Sequence, residues 1–199
     1  ASDESVIIEY LHAEHIPKPL LIPVEPKIEM SNIDLQWIVD NMSSLMDLMW
    51  NKNLHPIVDT YSLLYYPNNP RYSLVSLWAG IESITRSKPD KKNKTGVRHS
   101  IRCRCAMLIG KSQEERWQLY LDIGKLYNLR SDAVHGKTVF EGKILGDEED
   151  KFAIEVLIET VKILNRLMIE IIENNSWPTE EDLKQKQNVF EKDFGDRFI

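Results

Sequence analysis

The stretch 147–175, DEEDKFAIEVLIETVKILNRLMIEIIENN, decides the fold. Phe152, Val156, Ile158, Val161, Ile163, Leu164, Leu167, Met168, Ile171 and Ile172 recur at helical spacing and wrap much of the circumference. A helix that is apolar on most sides is packed by several neighbours, so a bundle must surround it. Pro178 ends this helix, because a proline cannot continue the backbone ladder.

The segments before it fit that role. Ser31 with Asp34 is an N-terminal capping signature. Ile38, Met42, Leu45, Met46 and Met49 then form one apolar face, with the methionines read as core filling. Pro56 opens a second helix carrying Ile57, Tyr61, Leu64 and Tyr65, which stops at the turn cluster Pro67-Asn68-Asn69-Pro70. Tyr72–Arg86 follows, with the stripe Leu74, Leu77, Trp78, Ile81 and Ile84, and with Glu82 beside it. Val97–Ile109 is a helix closed by Gly110. Ser112 and Glu115 cap a long helix that runs to His135, and Gly136 suits a left-handed helix end. Trp37, Trp50, Trp78 and Trp117 fall within stripes and read as core, and Trp177 reads as a plug at a helix end.

The reading is therefore all-α, a bundle of five or six helices over residues 31–175. Residues 1–30 hold Pro17, Pro19, Pro23 and Pro26 and read as an irregular or extended arm. Residues 138–146 suggest a small hairpin, and 176–199 a polar terminal helix over Thr179–Phe190 followed by a tail. No solenoid-period repeat, glycine-rich nucleotide fingerprint or P-loop is present.

The chain has 199 residues, 42% of them hydrophobic and 28% charged, which excludes a predominantly disordered chain. No apolar run approaches the ~20 residues of a membrane span, so no membrane partner is expected. The two cysteines, Cys103 and Cys105, cannot staple a secreted scaffold, and a reducing cytoplasm is the expected compartment. Together with His99 they lack the usual zinc spacing, so neither metal nor cofactor is expected.

The formal net charge of −6 argues against a general nucleic-acid binder, but it is unevenly placed. Arg86–Arg104 holds eight basic residues and one acid, while residues 141–199 hold fifteen acids and eight bases. The basic segment, with Lys91, Lys92, Lys94, Arg98 and Arg102, is either a solvated loop or a local track for a phosphate backbone.

The most informative run is Leu126-Tyr127-Asn128-Leu129-Arg130-Ser131-Asp132-Ala133-Val134-His135-Gly136-Lys137. Arg130 stands in the stripe Leu119, Ile123, Leu126, Arg130, Val134, where a leucine would fit. A charge there is costly unless paired. Either Arg130 has an acidic partner in the bundle, for which Glu82 is a candidate, or it lines a cleft. His135 lies about 7.5 Å further along the axis, at a helix C-terminus that favours a cation. An Arg and a His at a cleft mouth can cleave a phosphodiester without a metal. The imidazole moves protons and the guanidinium stabilises charge on the phosphorane. The same two residues can equally form a structural pair that closes the helix end.

The run resembles the signature of HEPN domains, an Arg followed by four to six residues and then His. More narrowly, the pattern of Tyr127, Arg130, Ser131, Val134, His135, Gly136 and Lys137 resembles the Apea-like HEPN subfamily. The segments HPIVDTYSLLYY, RYSLVSLWAGIESI and IRCRCAMLIG resemble that subfamily's upstream helices, with Glu82 at its helix-borne acid. The likeness spans roughly Leu54 to Asn174.

The resemblance implies a helical bundle that forms a homodimer, with Arg130 and His135 of each protomer catalytic in a shared cleft. It implies a metal-independent endoribonuclease that leaves 2′,3′-cyclic phosphate ends and serves as a toxin or in abortive infection and antiphage defence. An antitoxin or a fused upstream domain is the further partner it implies. Ser131, Asp132, Tyr127 and Glu82 would support the site, and Lys91, Lys92, Lys94, Arg98, Arg102 and Lys137 would contact RNA. Many relatives carry Asn, Asp or His directly after the Arg, where this chain has Ser131. Other HEPN domains are catalytically silent and bind RNA or proteins, which is the alternative reading.

Overall fold

A computed structural model describes residues 32–49, 54–64, 70–87, 96–135 and 147–198. These form α1 (Asn32–Met49), α2 (His55–Leu64), α3 (Pro70–Thr85), α4 (Gly96–Ile109), α5 (Gln113–Val134), α6 (Asp147–Glu173) and α7 (Glu180–Phe194), then a 3₁₀ turn, Gly195–Phe198. The described residues contain no strand, and the all-α class holds. The arm 1–30, the hairpin at 138–146, Trp50 and Lys88–Thr95 of the basic loop lie outside the described residues.

Local chemistry sets the boundaries. α3 starts at Pro70, two residues before the expected Tyr72, because a proline is preorganised for the first helical position. The Ser112 hydroxyl accepts from the Glu115 amide at 3.2 Å, as its capping signature requires. α6 ends before Pro178 is reached. Asn175 adopts φ 44°, its amide bonds to the Ile172 carbonyl, and the Ser176 amide bonds to the Ile171 carbonyl. This is a left-handed cap, which asparagine tolerates better than most side chains. Thr179 and Asp182 then form a reciprocal capping box that opens α7.

The main core lies between α3, α4, α5 and α6. Leu74, Leu77, Trp78, Ile81, Ile101, Ile123 and Leu164 are sealed from solvent there. α6 packs against α1, α3 and α4, but through one face: Ala153, Val156, Leu164, Leu167 and Ile171 are buried while Phe152, Ile158 and Ile169 are exposed, so the helix is amphipathic rather than apolar on most sides. Gly80 lets α3 approach α6 closely: a Cβ at this position would stand 3.2 Å from the Leu164 side chain. Trp78 is fully buried, and Trp177 packs against the same core.

A second, smaller core joins α4, α5 and α7. Cys103, Ala106, Tyr120, Phe190 and Phe194 are buried in it, with Trp117 at its edge. Cys103 and Cys105 therefore face different cores, as neighbours two apart on a helix must. α7 extends four residues beyond the expected Phe190. Leu183, Gln187, Phe190 and Phe194 form a buried stripe that docks it on α4. The α1 methionines depart from expectation: Met42 and Met46 are about half exposed, in line with Leu35 and Val39. No helix of the described residues is long and apolar enough to cross a membrane.

Candidate functional site

α5 carries the site at its C-terminal end. Ile123 and Leu126 anchor its inward face in the main core, and Arg130 continues that line one turn further. The Arg130 side chain is only 24% exposed, so the charge needs compensation. It comes from α3: Nη2 of Arg130 stands 2.9 Å from Oε1 of Glu82, whose side chain is 13% exposed. Of the two alternatives open in the sequence, an acidic partner in the bundle is thus present. Glu82 is shared, since Arg86, one turn on, reaches its other oxygen at 3.4 Å.

Aromatic rings frame the pair. Tyr127 meets Trp78 edge to face at 5.3 Å between centroids, which ties this turn of α5 to α3. The Arg130 guanidinium carbon lies 5.6 Å from the Tyr127 ring centroid. Nε of Arg130 is buried and has no hydrogen-bond partner among the described residues.

His135 occupies the C-cap of α5. Its amide donates to the Ser131 carbonyl at 3.0 Å, and its side chain is exposed. Ser131 and Asp132 lie on the same final turn and are partly buried. A residue that sequence reasoning missed also reaches this end. Arg71, in the first turn of α3, donates from Nε to the Ala133 carbonyl at 2.6 Å. It satisfies one of the carbonyls that a helix end leaves without an intrahelical partner. Nothing in the local sequence around Arg71 signals this, because the contact spans 62 residues.

The expected RNA-facing bases divide into groups. Lys91, Lys92, Lys94 and Lys137 lie outside the described residues. Arg98 is exposed on the first turn of α4. Arg102 donates from Nε to the Tyr120 carbonyl at 2.9 Å and lays its guanidinium over the Tyr120 ring, 3.6 Å from the centroid. Gly124 leaves room for it, since a Cβ there would meet the guanidinium at 2.7 Å. Arg104, in the same basic run, is buried and donates to the Thr85 carbonyl and to Oε1 of Gln187.

The geometry brings Glu82 of α3 together with Arg130 and Tyr127 of α5, and Ser131, Asp132 and His135 follow on the last residues of the same helix end. It offers a held guanidinium and, five residues on, a solvent-facing imidazole. No protein-family model, no curated protein and no solved structure matches this chain.

Proposed function

We propose that the protein is a metal-independent endoribonuclease of the HEPN type, acting as a homodimer in a toxin or antiphage defence role. Arg130 and His135 of each protomer face a shared cleft. The carrying observation is the stripe position of Arg130, fixed by Glu82 at 2.9 Å, beside an exposed His135 at the same helix end. His135 takes the proton from the ribose 2′-oxygen or delivers one to the departing 5′-oxygen. The 2′-oxygen bonds to phosphorus as the 5′-oxygen leaves, and Arg130 stabilises the charge on the phosphorane between them. The product carries a 2′,3′-cyclic phosphate.

The test is cleavage of single-stranded RNA by the parent chain, His135→Ala and Arg130→Ala. Both variants should lose cleavage while keeping the helical circular dichroism of the parent. A folded His135→Ala protein that cleaves as fast as the parent overturns the reading. One observation favours a second reading, a silent module that binds RNA or a partner protein: the Arg130 charge is already met by Glu82. That reading predicts salt-sensitive RNA binding without cyclic-phosphate products.

A further inference from the structure

Away from Arg130, α4 and α7 bring together three groups of different chemistry. His99 and Cys103 are four residues apart on α4 and so share one face, and Glu191 comes from α7. Their donor atoms all lie within 4.8 Å of one another. Nε2 of His99 is the common point, 3.4 Å from Sγ of Cys103 and 3.1 Å from Oε1 of Glu191. Around a tetrahedral zinc ion with bonds of about 2.0–2.3 Å, neighbouring ligand atoms stand about 3.3–3.6 Å apart. The two pairs that include His99 are near that spacing, and the Cys103–Glu191 pair, within 4.8 Å, closes further when an ion draws the carboxylate inward.

The outer partners supply an independent argument. Nδ1 of His99 is 3.0 Å from the Tyr120 hydroxyl, whose oxygen can also accept, so when an ion displaces the Nε2 proton from its contact with Glu191 the other ring nitrogen has a partner in either role. Metal-bound histidines are almost always oriented through their other nitrogen in this way. Tyr120 is itself fixed, stacked on Trp117 and covered by the Arg102 guanidinium. Glu191 is held too, because Nε2 of Gln187 donates to its Oε1 at 2.8 Å while Oε1 of Gln187 accepts from Arg104. Cys103 is sealed in the second core, and the Glu191 side chain is 36% exposed, so the cluster meets solvent on its Glu191 side.

We propose that His99, Cys103 and Glu191 form a three-ligand site for a zinc-like divalent cation, which clamps α7 onto α4. The thiolate, imidazole and carboxylate set suits a borderline-soft cation of this kind over magnesium or calcium, which prefer oxygen ligands throughout. Binding takes the thiol proton from Cys103 and releases it to solvent, so one proton leaves for each ion bound. The site lies outside the Arg130–His135 cluster, and its ligands come from both α4 and α7.

The test adds cobalt(II) to the reduced full chain and reads the near-ultraviolet thiolate-to-cobalt charge-transfer band, followed by displacement with zinc. A saturable band at one ion per chain is expected. It should vanish in Cys103→Ser and persist in Cys105→Ser. Glu191→Gln changes a partly exposed group and serves should Cys103→Ser fail to fold. Its cobalt affinity should fall by more than the ~10–100-fold that an outer partner is worth. Zinc should raise the thermal midpoint of the parent in a concentration-dependent way and leave that of Glu191→Gln nearly unmoved. No thiolate band in the folded parent, a band that survives Cys103→Ser, or unchanged affinity in Glu191→Gln overturns the proposal.

Discussion

Replacing Glu82 by Ala leaves Arg130 in the wall of the bundle with its nearest described carboxylate gone. Breaking a fully buried pair costs about 3–5 kcal/mol, and an exposed one close to nothing. Side-chain exposures of 24% and 13% place this pair between those limits, nearer the buried one. A loss of about 1–3 kcal/mol follows. With a urea slope of about 2 kcal/mol/M, the unfolding midpoint falls by roughly 0.5–1.5 M.

The opposite truncation, Arg130→Leu, should cost less, for three reasons visible in the structure. Glu82 keeps Arg86 at 3.4 Å. The buried Arg130 Nε, without a partner among the described residues, is removed. A leucine also completes the stripe begun by Ile123 and Leu126. The double variant should then recover part of the Glu82→Ala loss, with a coupling of about 1 kcal/mol or more. Urea titrations of the four proteins, followed by far-ultraviolet circular dichroism, measure the cycle. Additivity within about 0.5 kcal/mol, or a larger loss for Arg130→Leu than for Glu82→Ala, would refute the reasoning. RNA cleavage by Arg130→Leu should be absent however stable it proves, which separates the structural use of the pair from its chemistry.

Phe190→Ala removes a fully buried ring from the second core and should cost about 3–5 kcal/mol, with amide exchange in α7 rising more than in α6. The Glu115 carboxyl is held below its ordinary value, first by the Lys111 amide and then by Arg166. Its contribution is therefore full above about pH 4.5 and is lost as pH falls through its lower folded value. Glu115→Gln should flatten that acid-side decline in the urea midpoint, and an unchanged decline would contradict the assignment. Of the eight bases in Arg86–Arg104, Arg86, Arg102 and Arg104 are engaged within the fold, so at most five can contact phosphates. RNA binding through this segment should then show a log–log salt slope no steeper than about −3.5 for each chain, at roughly 0.7 per contact.

The helices were legible wherever one face alone decides them. α6 announced itself by a long run of apolar residues at helical spacing, although its exposed Phe152 and Ile158 show that one face, not most of its surface, is buried, and α5 by its Ser112 cap and its stripe. Arg130 was legible as an interruption of that stripe, and Glu82 as an acid within a helix whose neighbours are apolar. Two interruptions of opposite charge in helices that share a core have one economical resolution, and the structure adopts it at 2.9 Å. Arg71 was not legible, because its target is a backbone carbonyl, and a backbone carbonyl carries no side-chain signature.

α7 shows where reading a helix by its composition fails. Its acids and lysines make it look polar all round, yet Leu183, Gln187, Phe190 and Phe194 fall at spacings of four, three and four. That stripe is narrow, and a narrow stripe suffices when two of its members are phenylalanines meeting a tryptophan and a tyrosine. Overlooking it hid more than a docking surface. The sequence reading weighed Cys103 and Cys105 together with His99, whereas the two cysteines point into different cores. The neighbours of Cys103 are His99, one turn back on its own face, and Glu191, 88 residues away and just beyond the expected end of the terminal helix. A cysteine and a histidine four apart are common on helices. Only the docking of α7, driven by Phe190 and Phe194, turns them into a cluster with three different donor atoms. The packing of the second core and the polar chemistry at its edge are thus one arrangement, and displacing α7 should disrupt both.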